Sequence, residues 1–207
     1  NPLSVGVVGK YSRRSATQVV AEADLVIFVG PRAGGMTTHF WTIPAKGTST
    51  IQIDIDPLVN GRNYPTDVSI VGDARVTLEK MNELNIPVPK ERVEWLKQVK
   101  AICTSYKIDF KGVYESDAYP IRPERIVNEL SNGMPKNAVI VVDTGHSGMW
   151  MGGMFEKRHE GQSYIRSAGH LGWAFPAALG AKCGAPHRPV VCFMGDLGFW
   201  YHMAEVE

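Results

Sequence analysis

Five apolar, β-rich runs in this 207-residue chain each stop at a glycine, proline or aspartate, and that punctuation restricts the folds open to it. Leu25-Val26-Ile27-Phe28-Val29-Gly30 is closed by Pro31, and Thr50 to Pro57 ends on Asp54, Asp56 and Pro57. Val68 to Asp73, Ala138 to Asp143 and Pro189 to Met194 follow, the last leading straight into Gly195-Asp196. Runs that are apolar on both faces are what parallel strands covered by helices require. Helical patterns lie between them: Ala16 to Ala23, a helix opened by Asp73 as N-cap, one begun near Pro123, a small-residue helix from Ala174 to Cys183, and a last one near Phe199. Strands alternating with helices predict an α/β fold with two open, mostly parallel sheets flanked by helices. Val5-Gly6-Val7-Val8 reads as either a short strand or a loop. Asn85-Ile86-Pro87-Val88-Pro89 breaks the pattern and separates a first unit, 1–88, from a second, 120–207. In the linker, 89–119, Glu91 to Cys103 reads as an amphipathic helix, and Thr104 to Tyr119, without clear period, as a surface segment.

Composition excludes several function classes. Lys and Arg number 22 against 21 Asp and Glu, a net charge of +1, so no basic face invites nucleic acid or an anionic membrane. The longest apolar runs are too short to span a bilayer, and no charged-then-apolar leader opens the chain. Three cysteines, odd in number and without CxxC spacing, make a disulfide framework a poor reading and a reducing cytoplasm the simpler one. The chain lacks an initiator Met and stops at Ala204-Glu205-Val206-Glu207 inside a helical pattern, so the expectation is a piece of a longer protein. No strand is followed by GxGxxG, and no Ser–His–Asp set or zinc-ligand spacing occurs.

Chemistry concentrates at strand ends. Gly195-Asp196-Leu197-Gly198 follows a buried-type strand, and ligands gather at the carboxyl ends of parallel strands. Glycine lets backbone N–H groups approach a phosphate, and a helix N-terminus favours its charge. An aspartate there opposes phosphate unless a cation intervenes, and magnesium bridging carboxylate and phosphate oxygens resolves the conflict. The competing reading is that Asp196 only caps a helix. Thr144-Gly145-His146-Ser147-Gly148 forms a second glycine-containing turn suited to phosphate, after Asp143. Ser167-Ala168-Gly169-His170-Leu171-Gly172 is a third. His39, His159 and His187 sit in polar loops and read as solvated; His170 and His202 adjoin the proposed site. Cys192, within an apolar strand, reads as inert core.

Taken together these segments resemble the diphosphate-binding half of the thiamine diphosphate family that includes acetolactate synthase and benzoylformate decarboxylase. Gly195-Asp196, Phe199 and Glu205 match its Gly-Asp-Gly-Ser-Phe and Gln-Glu-Leu segments, and Ser167 to Gly172 with Pro176 to Ala181 match its Ser-Gly-Gly-x-Met/Leu-Gly…Pro-Ala-Ala-Ile-Gly-Ala stretch. Asp143 to Trp150 resembles the synthase's Asp-Val-Gly-Gln-His-Gln-Met-Trp. Asn1-Pro2-Leu3-Ser4, Ala23-Asp24-Leu25-Val26, Ile53 to Pro57 and Val71-Gly72-Asp73-Ala74 resemble the middle domain. The resemblance runs the length of the chain and is thin between about Val88 and Tyr119.

The resemblance implies that Asp196 ligates Mg2+ and that the backbone at Gly195, Leu197 and Gly198 meets the diphosphate. Thr144, Gly145, His146 and Ser147 would hold its other side. Leu171 would be the catalytic platform beneath the thiazolium, with the Gly169 backbone near the aminopyrimidine and His170 beside them. A bulky apolar residue props the two rings so that proton donor and acceptor meet, and the cofactor then serves as the electron sink for decarboxylation or acyl transfer of a 2-keto acid. In the first unit, Gly30, Arg32, Asp54, Ile55 and Asp73 fall where the synthase contacts FAD, which makes FAD a candidate; the synthase's Arg-Phe-Asp-Asp-Arg is, however, Arg32-Ala33-Gly34-Gly35-Met36 here. Two further departures stand out. Leu197 replaces the middle glycine of Gly-Asp-Gly, and since leucine strongly disfavours positive φ the local backbone is open there, with Gly198 able to take over. His146-Ser147 replace Gln-His. The family's second magnesium ligand, an Asn, and its catalytic glutamate are implied outside this chain. A small-molecule substrate and a homodimeric or homotetrameric parent complete the expectation. The alternatives are a non-catalytic nucleotide-binding α/β module and an inactive remnant.

Overall fold

A computed structural model describes residues 3–207, so Asn1-Pro2 of the middle-domain resemblance lie outside the described residues. The chain divides into two compact units, Asn1–Ile108 and Asp109–Glu207. Both are built on three parallel strands, as the apolar runs require. Among the described residues no helix is long and apolar enough to cross a membrane.

In the first unit, helix α1 (Arg14–Ala21) precedes β1 (Leu25–Val29), β2 (Ser49–Asp54) and β3 (Val68–Val71), which pair in the order β1-β2-β3. The register sets Val29 against Ile53 and Asp54 against Val71, so all three strands end on one edge. Helix α2 (Ala74–Glu83) begins as expected: the Asp73 carboxylate accepts the Val76 N–H at 3.0 Å. Phe28, Ala33 and Tyr64 form a small core cluster. Buried Gln52 ties the loops above it, donating to the Pro31 carbonyl at 3.2 Å and accepting the Gly61 N–H at 2.9 Å. Val5 to Val8 is loop rather than strand, its course bent by Gly6 and Gly9 at φ +103° and +108°. Helix α3 (Lys90–Tyr114), which runs past the end of the first unit at Ile108, also overturns part of the expectation, because it continues through Thr104 to Tyr114, where a wandering segment was anticipated. Tyr106 is its one buried residue, so no apolar stripe marks the helical period.

The second unit continues with α4 (Pro123–Gly133), β4 (Val139–Val142), α5 (His146–Met154), β5 (Ser163–Arg166), α6 (Ala174–Gly184), β6 (Val190–Phe193), α7 (Asp196–Trp200) and a 3₁₀ turn (Met203–Val206). Its sheet order is β5-β4-β6, all parallel. Central β4 is buried along its whole length, and alternation sorts its side chains. Ile140 and Val142 pack with Val127 and Met134 around α4 and with Met151 of α5. Val139 and Val141 face Ala174 and Ala178 of α6. Small residues on α6 allow that close approach, which explains both the unbroken apolar run and the alanine-rich helix. Strand β5 was not anticipated: Ser-Tyr-Ile-Arg is short and mixed, and it is recruited at the sheet edge by pairing with β4. The last helix starts at Asp196, three residues before the expected point.

Candidate functional site

The site candidates of the second unit converge at the carboxyl edge of its sheet. Strand β4 ends at Asp143, and the chain turns through Gly145 at φ +72°, ψ −147° into α5. A side chain at Gly145 would have to adopt that strained backbone. His146 and Ser147 are therefore not loop residues, as the sequence suggested, but the first turn of α5. The neighbouring strand β6 leads through Gly195 into α7, whose first turn holds Asp196, Leu197 and Gly198. Neither helix has a side-chain cap, and the N–H groups of a first helical turn have no acceptor within the helix. Two uncapped helix starts thus stand on adjacent parallel strands, close enough that a Cβ on Gly195 would lie 3.8 Å from the Ser147 hydroxyl.

Asp196 is exposed, and among the described residues its carboxylate has no hydrogen-bond or salt-bridge partner. It does not cap its helix, so the competing reading of it finds no support. Leu197, 62% exposed, sits in right-handed helix, and neither it nor Gly198 takes positive φ. The missing middle glycine is thus accommodated without left-handed backbone. Gly198 must be glycine for another reason: a Cβ there would collide with Asp143 Oδ2.

The third segment bridges the other two. Gly169 and Gly172, at φ +96° and +88°, flank His170 and Leu171, which both face solvent. The Gly169 N–H donates to Thr144 Oγ1 at 3.3 Å, and the Gly172 N–H donates to Asp143 Oδ2 at 2.9 Å. Space at Gly172 is closed on its remaining side, where a Cβ would meet Tyr201 Cβ at 2.8 Å and His202 Cδ2 at 3.0 Å. His202 therefore adjoins the site, while Leu171 keeps 41% of its surface exposed. Asp143 is fully buried, and its Oδ1 has no hydrogen-bond partner among the described residues. Burial, and secondarily the Asp143 charge, push the nearby Cys192 thiol up to about 11. The sequence reading used Asp143 only as a strand terminus and motif letter; an acidic residue at the end of an all-apolar strand was the available signal.

In the first unit Gly30, Asp54, Ile55 and Asp73 also share the carboxyl edge, with Arg32 in the loop after Gly30. The Gly30 N–H donates to the Ile53 carbonyl at 2.8 Å, and the Asp54 carbonyl accepts the Gly72 N–H at 2.9 Å. The carboxylates turn inward to local tasks: Asp54 accepts the Asp56 N–H at 2.9 Å, and Asp73 caps α2. Arg32 and Ile55 are exposed. Among the described residues there is no group of three or more His, Cys, Asp or Glu arranged for a metal ion. A cation beside Asp196 would need oxygens from a bound ligand, which is how Mg2+ commonly sits on one or two carboxylates plus phosphate.

Comparison with known proteins finds two matching domains along the chain. The family described as Thiamine pyrophosphate enzyme, central domain, matches residues 1–81. The family described as Thiamine pyrophosphate enzyme, C-terminal TPP binding domain, matches residues 143–207, which begins at Asp143 and takes in all three segments. The chain is 33% identical over 223 residues to the probable acetolactate synthase large subunit of Methanococcus aeolicus, covering 100% of this chain and 36% of the relative. With the corresponding Methanocaldococcus jannaschii protein it shares 32% over 217 residues, again 100% of this chain and 36% of the relative. The acetolactate synthase large subunit of Lactococcus lactis is 29% identical over 198 residues, 95% of this chain and 34% of the relative. This chain thus spans about a third of the length of these relatives. It belongs to the thiamine pyrophosphate enzymes, carrying the family's central domain followed by its C-terminal TPP-binding domain.

Proposed function

We propose that this chain provides the thiamine diphosphate- and Mg2+-binding half of an acetolactate synthase-like enzyme that transforms a 2-keto acid. The observation that carries this reading is the convergence of two uncapped helix starts and an exposed Leu171 on one carboxyl edge. The donor set fits the group. First-turn N–H groups at His146, Ser147, Leu197 and Gly198, with the Ser147 hydroxyl, would hold a diphosphate, helped by the positive ends of both helices. Asp196, unpaired and exposed, would hold Mg2+ against it. Leu171 would present an apolar surface for the ring system, keeping it bent and excluding water from beneath it. When bound, the cofactor supplies the electron sink that carbon–carbon cleavage next to a carbonyl requires.

Among the roles assigned from sequence, that of Thr144 changes most. Its hydroxyl oxygen already accepts the Gly169 N–H, so the residue steadies the loop while its own proton stays available to a phosphate. In the first unit a flavin would rest on Arg32 and the backbone of Gly30 and Ile55, because Asp54 and Asp73 spend their carboxylates on local turns. A purified protein without oxidised-flavin absorbance removes FAD from the reading. The 2-keto acid, the cytoplasmic setting and assembly of the parent as a dimer or tetramer belong to the same proposal.

The test is calorimetric. The chain binds thiamine diphosphate with Mg2+ and far more weakly with chelator present, and Asp196→Ala abolishes the Mg2+-dependent part. Unchanged affinity in Asp196→Ala would sink the reading.

A further inference from the structure

The Leu171 segment is short, glycine-flanked and exposed, which would leave its two central residues free to wander. It is instead tied at both ends to consecutive residues at the tip of β4. Thr144 Oγ1 takes the Gly169 N–H and Asp143 Oδ2 takes the Gly172 N–H. The second tie is the stronger by chemistry. An N–H to a buried carboxylate is charge-assisted, whereas the first is a longer, exposed bond to a neutral hydroxyl. The Asp143 carboxylate is also confined on the side of α7, where Gly198 approaches so closely that a Cβ on it would collide with Oδ2.

We propose that Asp143 is the positioning residue of the putting-in-place of Leu171: its buried carboxylate locks Gly172 and, through contact with Gly198, keeps the Leu171 segment in step with the Asp196 helix. That this arrangement serves a cofactor rests on the thiamine diphosphate reading; the lock itself does not. The architecture has a physical logic. Strand β4 is the most deeply buried strand of its sheet, so a group at its tip has a rigid base, and the loop inherits that rigidity. A buried carboxylate also costs solvation free energy, and only a donor fixed in position offsets it. The Gly172 N–H is such a donor for Oδ2, while Oδ1 has no partner among the described residues.

The lock is tested on the chain by hydrogen exchange at the Gly172 amide, without cofactor, in Asp143→Ala, Asp143→Asn, Gly198→Ala and the double variant Asp143→Ala/Gly198→Ala. Asp143→Ala removes the acceptor, and the Gly172 amide exchanges faster by on the order of tenfold or more, with the β4 amides at the native rate. Asp143→Asn keeps an acceptor oxygen and stays within a few-fold of the native rate. Gly198→Ala displaces the carboxylate and reproduces the Asp143→Ala result although Asp143 is intact. The double variant exchanges no faster than Asp143→Ala, since alanine at 143 relieves the clash. A native exchange rate in Asp143→Ala, an Asn variant as fast as the Ala variant, or acceleration spread equally through β4 would overturn the lock. Should Asp143→Ala not fold, Asp143→Asn and Gly198→Ala decide between the same outcomes. Thiamine diphosphate affinity with Mg2+, measured on the same variants, falls in the order of the exchange rates. If the native chain binds no thiamine diphosphate while Gly172 responds as described, the cofactor reading fails and the lock stands.

Discussion

Among the described residues eight glycines take left-handed backbone, but at Gly198 the constraint is space alone. Gly198 needs no positive φ, yet a methyl group there would strike Asp143. Gly9 combines both constraints, with φ +108° and a Cβ that would collide with the Met36 carbonyl. Gly9→Ala should destabilise the first unit by roughly 3 kcal/mol or more, read from denaturant unfolding, because backbone cannot yield as a side-chain tip would. Two partly buried groups contribute to the alkaline behaviour. Burial pushes the Tyr164 hydroxyl up to about 12 and the Cys192 thiol up to about 11. Both folded values lie above the unfolded ones, about 10 and about 8.5, so the unfolded chain loses these protons first. The stability they contribute is intact below about pH 8.5 and is lost as pH rises to about 12, and Tyr164→Phe should flatten the upper part of that decline. At pH 8 only about one Cys192 in a thousand would be thiolate, so exposed Cys183 should react first with a disulfide reagent, and Cys183→Ser should remove the fast phase.

At the scale of elements, one arginine organises the end of the second sheet that lies opposite the site. Arg188 donates to the Asn137 carbonyl at 2.7 Å, the Gly161 carbonyl at 2.8 Å, the Ser163 hydroxyl at 2.9 Å and the Ala138 carbonyl at 3.2 Å. It thereby joins the entries of β4 and β5 to the approach to β6. β5 is only four residues long and lies at a sheet edge, so this fork and the pairing with β4 hold it in place. Arg188→Ala should cost roughly 2–3 kcal/mol, and Arg188→Lys should recover only part of it because an ammonium cannot reproduce the planar fork. Circular dichroism and denaturant unfolding check both variants. Elements also differ in how openly their sequences declare them. β4 is buried on two faces and reads as an unbroken apolar run. α3 buries only Tyr106 and carries no stripe, so its second half was invisible to periodicity.

On the scale of the whole molecule, the two units carry unequal cores. The second buries Val127, Ile140, Val142 and Met151 in one cluster and Val139, Val141 and Ala174 in another, whereas the first relies on a cluster of Phe28, Ala33 and Tyr64. Two calorimetric transitions are expected, with the first unit melting at the lower temperature. Phe28→Ala should lower that transition by an amount equivalent to about 3–5 kcal/mol and leave the other in place, and Ile140→Ala should do the reverse. A single transition moved by both variants would show that the units melt together.

Sequence alone determined the parallel α/β character, the strands other than β5, the Asp73 cap and the three glycine-bearing segments of the candidate site. These are local matters: apolar runs, turn residues and caps act within a few neighbours, so their signal survives in one dimension. Tertiary structure decided the rest. It put His146 and Ser147 on a helix, left Leu197 in right-handed backbone, and turned Asp54 and Asp73 to their own turns. Above all it brought Asp143, Gly172 and Gly198 together, residues separated by 29 and 26 positions that meet only because β4 and β6 lie side by side and end level. A carboxylate's partner is chosen by strand order and register, and those are settled by burying both faces of β4 at once.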